Sequence, residues 1–489
     1  MTGSAGVPAG VPAAAPSVGA AAAEPAERVR FFWCEQGWVN GAVVPGVRLE
    51  VDGAGVVAGT ETGVPGQDGD CRLSGVTFPA ASNAHSHAFH RILRGRTHAG
   101  GPGSFWTWRE QMYEAAGALT PELYEQLATA VFAEMVATGF TSVAEFHYVH
   151  HHPDGSAYGG PGSEEHAMER ALARAAVATG IRLTLLDTCY LAGGFGVPLN
   201  GRQQRFGDRD AQGWLDRLAS LRKAFAAEFD PAQVSVGAAL HSVRGVPEAA
   251  LPTIAAGLPD GIPLHIHLSE QPAENAACLQ ATGLTPTMLL QKHGLIGPRL
   301  SAVHATHLTG EDITVLGEAG ATVVMCPTTE ADLADGIGPA ARLQAAGARI
   351  ALGTDQHAVV DPFLEMRALE HGERLSSGER GRFGPAELHA AVSSAGARAQ
   401  DRPEPGLEPG MVCDLMCVDP SSIRTAGSRP GQLALAATAA DVHTVVVGGR
   451  ILARNGQHTV LGDPAVLLGT AIAAVDAVRT TTFEGSPRA

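Results

Sequence analysis

The stretch Gly75-Val76-Thr77-Phe78-Pro79-Ala80-Ala81-Ser82-Asn83-Ala84-His85-Ser86-His87 places an apolar, β-prone run directly before a His-x-His pair. Gly75–Ala81 reads as a strand. At a strand end, residues i and i+2 point the same way, so His85 and His87 present two imidazoles to one ion. Working outward, similar runs recur at Ser142–Phe146, Arg182–Leu186, Val234–Ala239, Pro263–His267, Leu300–His304, Thr322–Cys326 and Arg349–Gly353. Helical stretches separate most of them, such as Pro121–Thr138, Glu164–Thr179 and Gln212–Glu228. Strands alternating with helices argue for an α/β fold with a parallel sheet, and eight such units make a (β/α)8 TIM barrel the leading architecture. An open doubly wound sheet is the alternative. No G-x-G-x-x-G follows the first strand, which disfavours a dinucleotide fold.

The chemistry-bearing residues fall at the ends of these runs: His85 and His87, Glu145 and His147, His241, His267, His304 and Asp355. In a barrel all eight strand ends ring one mouth, whereas an open sheet spreads them along a line. Singly, each has a plain explanation, a surface histidine or an Asp capping the next helix. Together, and in this order, they point to a metal centre. His265 and His267 both compete for the fifth-strand position. The triple His150-His151-His152 reads as part of a loop past the second strand and is left out of the site.

The ends of the chain differ in style. Arg30–Trp38 and Val47–Val57 read as strands, as do Asp414–Val418, Val442–Val447 and Arg450–Ala453, the last two joined at Gly448-Gly449. We expect the two ends, 28–78 and 408–465, to pair into one small β-sandwich beside a barrel over 79–407. A disordered tail over 1–27 precedes them and a C-terminal segment over 466–489 follows; the Ala/Val run of the tail is interrupted by Pro8, Pro12 and Pro16. The length of 489 residues suits a large domain plus a smaller one. A formal net charge of −16 makes the chain a poor partner for nucleic acid or an anionic membrane. Seven scattered cysteines without a C-x-x-C pair fit a reducing cytoplasm.

On His85-Ser86-His87, His267, His304 and Asp355 the chain resembles the amidohydrolase superfamily, over about 28–465. The resemblance implies a metal held by His85, His87, His267 and Asp355, with Glu270 in the H-x-x-E of the superfamily's deaminases. No bridging lysine is apparent where the fourth strand leads into His241-Ser242-Val243-Arg244, which favours one divalent ion. Three nitrogens and one oxygen suit zinc, with Fe(II) or Mn as alternatives. Further motifs are similar to those of the formimidoylglutamate deiminases of histidine degradation: Phe105-Trp106-Thr107-Trp108-Arg109-Glu110-Gln111-Met112-Tyr113, Glu145-Phe146-His147-Tyr148, His241-Ser242-Val243-Arg244 and Cys326-Pro327-Thr328-Thr329-Glu330. One departure is His90, where those relatives usually carry Gln.

This second resemblance implies a small dicarboxylate substrate, and the residues agree. Arg109 and Arg244 supply forked donors suited to carboxylates, while Tyr148, His241 and His90 can each add a hydrogen bond. The implied reaction is hydrolysis of N-formimidoyl-L-glutamate to N-formyl-L-glutamate and ammonia, with His304 and Asp355 orienting water and Glu270 carrying the proton. A homodimer is expected. The rival readings are a deaminase of a guanidino acid or nucleobase, and a barrel that only binds a ligand.

Overall fold

The computed structural model describes residues 27–97, 105–160 and 162–483. Four strands come first: β1 (Phe31–Val39), β2 (Ala42–Val51), β3 (Val57–Glu61) and β4 (Cys71–Pro79). Eight follow, alternating with helices: β5 (Ala81–Ser86), β6 (Phe140–His147), β7 (Arg182–Cys189), β8 (Val234–Leu240), β9 (Leu264–Leu268), β10 (Leu300–His304), β11 (Thr322–Met325) and β12 (Arg349–Leu352). The last four are β13 (Leu415–Val418), β14 (Val442–Val447), β15 (Arg450–Arg454) and β16 (Gln457–His458). A helix, Pro464–Phe483, follows them. Apart from Glu27, the tail expected over 1–27 lies outside the described residues, as do residues 484–489.

Strands β5 to β12 pair in chain order, each parallel to the next. They are buried almost throughout, as expected of parallel strands covered by helices. The ring closes where Ser86 bridges Asp355: the Thr354 and Asp355 amides donate to His85 O at 3.1 and 3.0 Å, and the His87 amide donates to Asp355 O at 3.0 Å. The fold is therefore the expected barrel. Helix starts follow from local chemistry. Thr120 accepts from the Leu123 amide with Pro121 in the first turn, and Asp361 accepts from the Phe363 and Leu364 amides.

The two chain ends pair as expected, in one mixed sheet that joins them where β13 runs antiparallel to β4, Leu415 opposite Pro79 and Val418 opposite Val76. This sheet has its own apolar cluster, including Phe32, Val47, Leu49, Leu73, Leu407 and Leu415.

Two strand readings need correction. The run Gly75–Ala81 is not the first barrel strand. Its bulk belongs to β4 in the end sheet, and the chain changes partners between Ala80, whose amide donates to Asp414 O, and Ala81, whose amide donates to Gly139 O. The apolar end of β4 runs through Pro79 and Ala80 into Ala81 with no glycine or polar turn between, so periodicity reads them as one. The run Val47–Val57 is likewise two strands. Asp52 Oδ1 accepts from the amides of Ala54 and Val56 at 2.8 and 2.9 Å and bends the chain between β2 and β3.

Candidate active site

The site forms where β5, β9, β10 and β12 end. His87 Nε2 stands 3.3 Å from His267 Nε2, which is 3.2 Å from His85 Nε2. Asp355 Oδ1 lies 3.4 Å from His85 Nε2 and 3.5 Å from His87 Nε2. His87 Nδ1 faces the Phe146 carbonyl and His267 Nδ1 the His241 carbonyl, both at 2.9 Å. A carbonyl only accepts, so each Nδ1 carries the hydrogen, and each Nε2 turns a lone pair inward. Burial, then the charge that neighbouring imidazoles would carry, holds the pKa of both rings well below the usual histidine range, so they stay neutral. Converging lone pairs and a carboxylate ask for a cation. Tetrahedral donors about 2.0–2.1 Å from an ion lie about 3.3–3.4 Å apart, which matches these separations. The residues present therefore fit a divalent metal.

His265 stands two residues before His267, and its Nε2 donates to Ala399 O at 2.7 Å, away from this group. His304 approaches from β10, its Nε2 3.8 Å from Asp355 Oδ2 and 3.9 Å from Glu270 Oε1, its Nδ1 3.3 Å from Glu330 Oε1. Burial opposes a charge on His304, yet Glu270, Glu330 and Asp355 push its pKa up to about 10. Burial also disfavours the Asp355 charge, and His85 and His304 overcome it to hold that carboxyl at about 2. Left-handed backbone gathers here: Ser269, His304, Ala305, Asp355 and His357 all have positive φ. Val303, opposite His267 in register, packs with the apolar group Val324, Ala351 and Ala399, and the φ of +66° at His304 breaks strand alternation so that its ring stacks against that of His267 at 5.7 Å.

A narrow cleft opens over these residues, lined also by His90, Arg109, Tyr148, His241, Arg244 and Glu270. Every expected substrate-binding side chain thus reaches one cavity. His90 Nε2 pairs with the Tyr148 hydroxyl at 2.9 Å, and burial drives its pKa down to about 3, leaving a neutral ring against His87. Arg244 is not turned to the cleft alone. Its Nη2 lies 3.7 Å from Glu270 Oε2 and its Nε 3.5 Å from Glu274 Oε1. Arg109 and Arg244 also line an adjoining cavity beside the helix Pro272–Thr282, which the histidines do not reach. The cationic groups therefore stand where the cleft meets this second cavity, with Glu270 between Arg244 and the histidine centre.

Two expected mouth residues are elsewhere. Glu145 and His147 alternate with Phe146 and Tyr148 and turn to the helix side of β6. Glu145 accepts from Ser86 Oγ at 2.5 Å and the Ala88 amide at 2.6 Å, bracing the His85-Ser86-His87 turn. His147 and His150 face Glu169 at 3.3 and 2.8 Å, a second group close enough to share an ion, but Arg217 Nη1 already supplies a cation 3.0 Å from His150. Sequence reading gave no role to Glu274, Tyr113, Tyr190 or Gln203. The spacing of Glu270 and Glu274 around a helix start was a usable sign for the first, and Tyr113 closes the motif Phe105–Tyr113; nothing local marks the other two.

The Amidohydrolase family model matches residues 76–452, and the chain belongs to that family. It is 36% identical to formimidoylglutamate deiminase of Pseudomonas aeruginosa over 437 residues, 86% of this chain and 93% of that protein. It is 30% identical to 8-oxoguanine deaminase of the same species over 383 residues, 76% of this chain and 81% of that protein. Among solved structures, an amidohydrolase from Brucella melitensis superposes with a TM-score of 0.82 at 31% identity, covering 91% of this chain and 99% of that one. An adenosine deaminase from Xanthomonas campestris with bound zinc gives 0.77 at 24% identity, covering 92% and 98%, and shares the fold. The family is metal-dependent, and the chain is a hydrolase acting on C–N bonds. No helix among the described residues is long and apolar enough to cross a membrane.

Proposed function

We propose that the chain hydrolyses N-formimidoyl-L-glutamate to N-formyl-L-glutamate and ammonia, as a cytoplasmic homodimer with one divalent ion, zinc, per chain. The observation that carries this reading is a single cleft with a His/Asp centre at one end and Arg109 and Arg244 at the other. A formimidoyl group reaching the centre leaves two carboxylates for the cationic end. A neutral nucleobase has no use for two guanidinium groups. The similarity to a formimidoylglutamate deiminase supports the same substrate.

His85, His87, His267 and Asp355 would hold the ion, which when bound acidifies water towards neutral pH and polarises the group under attack. Asp355 and His304 orient the attacking water, and because the His304 ring already carries a proton, the proton lost by the water passes to Glu270. Glu270, 3.9 Å from His304 and 3.7 Å from Arg244, hands a proton to the departing nitrogen, so that ammonia leaves. The water oxygen stays on the formimidoyl carbon as the new formyl group. Arg244, Arg109, Tyr148, His241 and His90 bind and orient the carboxylates.

Ammonia release from formimidoylglutamate, formimidoylaspartate and guanine tests the reading. Preference for the first, by about tenfold or more in kcat/KM, is expected, since one methylene shifts a carboxylate out of a fixed clamp. Efficient turnover of guanine with none of formimidoylglutamate would overturn it.

A further inference from the structure

Gln203 is buried behind the cleft and touches none of the groups assigned above. Its side-chain amide is fixed in orientation. One end faces the Asn200 amide at 3.0 Å, and a backbone N–H can only donate, so that atom is Oε1. The other end is therefore the NH2 group, and it stands 3.0 Å from both the Tyr113 and the Tyr190 hydroxyl oxygens. Its two hydrogens serve the two phenols, one each. Each phenol oxygen thus accepts, and its own hydrogen must go elsewhere. If one phenol gives its hydrogen to the other, one hydroxyl hydrogen is still left over. No acceptor for it is found among the described residues, and both tyrosines line the cleft.

The place of this pair matters. The Arg109 guanidinium lies over the Tyr113 ring at 5.6 Å, and the Tyr190 ring is 4.2 Å from that of His241. The spare donor therefore stands among the groups at the cationic end. We infer that Gln203 is a positioning residue that sets the Tyr113–Tyr190 pair as a hydrogen-bond donor towards a substrate carboxylate, so that this end of the cleft selects an anion by polarity as well as by charge. The inference rests on the proposed substrate class. It adds a selection device that arginines alone do not provide: a carboxamide in the same place could offer its NH2 to a phenol lone pair only if the phenols were free to turn, and Gln203 prevents that.

Gln203→Glu tests it with little change of shape. The carboxylate still accepts from Asn200 N, and it now takes hydrogens from both phenols, leaving their lone pairs to face the cleft. KM for formimidoylglutamate is expected to rise about tenfold or more, with kcat within about threefold, because a charged acceptor loses its donor. A formimidoyl amine without carboxylates should show no change in KM. The added charge could itself repel an anion, so the same substitution is made in Tyr113→Phe/Tyr190→Phe. There it should add less than about threefold, since no hydroxyl remains to be turned. Equal losses on charged and uncharged substrates, an unchanged KM, or a full effect persisting without the hydroxyls would each overturn the inference. Calorimetric titration of glutarate into zinc-loaded protein separates this from the substrate assignment. Wild type that binds glutarate at least about tenfold more tightly than Gln203→Glu supports the donor pair even where formimidoylglutamate is not turned over, and equal affinities overturn it whatever the substrate is.

Discussion

At the scale of single residues, the proposed proton carrier is Glu270, held between Arg244 and His304 at the edge of the histidine group without being one of its four proposed metal donors. Gln fills the same space but cannot carry a proton. Glu270→Gln should keep the bound metal, measured by elemental analysis, and lose about 10²-fold or more in kcat; retained metal with near-normal ammonia release would remove Glu270 from proton transfer. Arg244 calls for a different comparison. If Arg244 binds a substrate carboxylate as proposed, Arg244→Met removes a charge-assisted contact, a loss on the order of 1.5–3 kcal/mol or about 10- to 150-fold in kcat/KM. It also leaves the buried Glu274 carboxylate without its counter-charge. Formimidoylglutamate must therefore suffer far more than a formimidoyl amine lacking carboxylates; equal losses would mean that Arg244 only serves Glu270 and Glu274. Most of the residues in these arguments were legible in the sequence, because H-x-H and H-x-x-E spacing at strand ends leaves few geometries open. Gln203 was not, since its partners, Tyr113 and Tyr190, come from distant turns of the chain, and Glu274 was passed over although its spacing from Glu270 at a helix start marked it.

At the scale of elements, the barrel strands were legible because parallel strands are nearly continuous apolar runs. The places that failed were those where one run serves two sheets, as at β4 and β5, or where a buried polar group carries the structure. The helix Pro362–Ser377 supplies one of the latter. Glu365 sends its carboxyl to Thr328, accepting from that residue's amide and hydroxyl, and so ties the helix to the short helix Pro327–Asp332 that follows β11. Burial dominates over these bonds and raises the Glu365 carboxyl from 4.5 to about 8. The sign follows directly. Between those two values the folded chain keeps a proton that the unfolded chain releases, so this site's contribution to stability falls as pH rises from about 4.5 to about 8 and is level above that. At about 1.4 kcal/mol per unit, the loss amounts to a few kcal/mol. Glu365→Gln has no proton to lose. Its denaturation midpoint should gain on wild type steadily from pH 5 to pH 8; parallel curves would show that the carboxyl is charged in both states.

At the scale of the whole molecule, the end sheet must be fixed to the barrel without disturbing the mouth, and one ion pair does much of this. Arg182 opens β7, at the end of the barrel opposite the site, and grips Asp414 just before β13, Nε to Oδ2 at 3.0 Å and Nη2 to Oδ1 at 3.1 Å. Asp414 Oδ1 also accepts from the Gly448 amide at 2.6 Å, in the turn between β14 and β15, and the Asp414 carbonyl accepts from Ala80, where the chain passes from one sheet to the other. One residue just before β13 thus joins β7 and the β14–β15 turn through its buried carboxylate and the crossing point at Ala80 through its backbone carbonyl. Its partner Arg182 is mostly buried, its side chain 16% exposed, so screening weakens the pair only in part. Asp414→Asn keeps the shape but removes the charge, leaving Arg182 unmatched and one oxygen of the fork replaced by a donor. Removing one member of a buried pair costs about 3–5 kcal/mol, and the partial exposure brings the expected loss to about 2–4 kcal/mol. Because bottom-face residues of a barrel bear on stability and the mouth bears on chemistry, kcat and metal content of the folded variant should match wild type while the denaturant midpoint falls. A fall in kcat at full metal occupancy would show that the end sheet reaches the site through β5, whose first residue, Ala81, lies one step from the Ala80 contact; an unchanged midpoint would show that β4 and β13 hold the two sheets together without this pair.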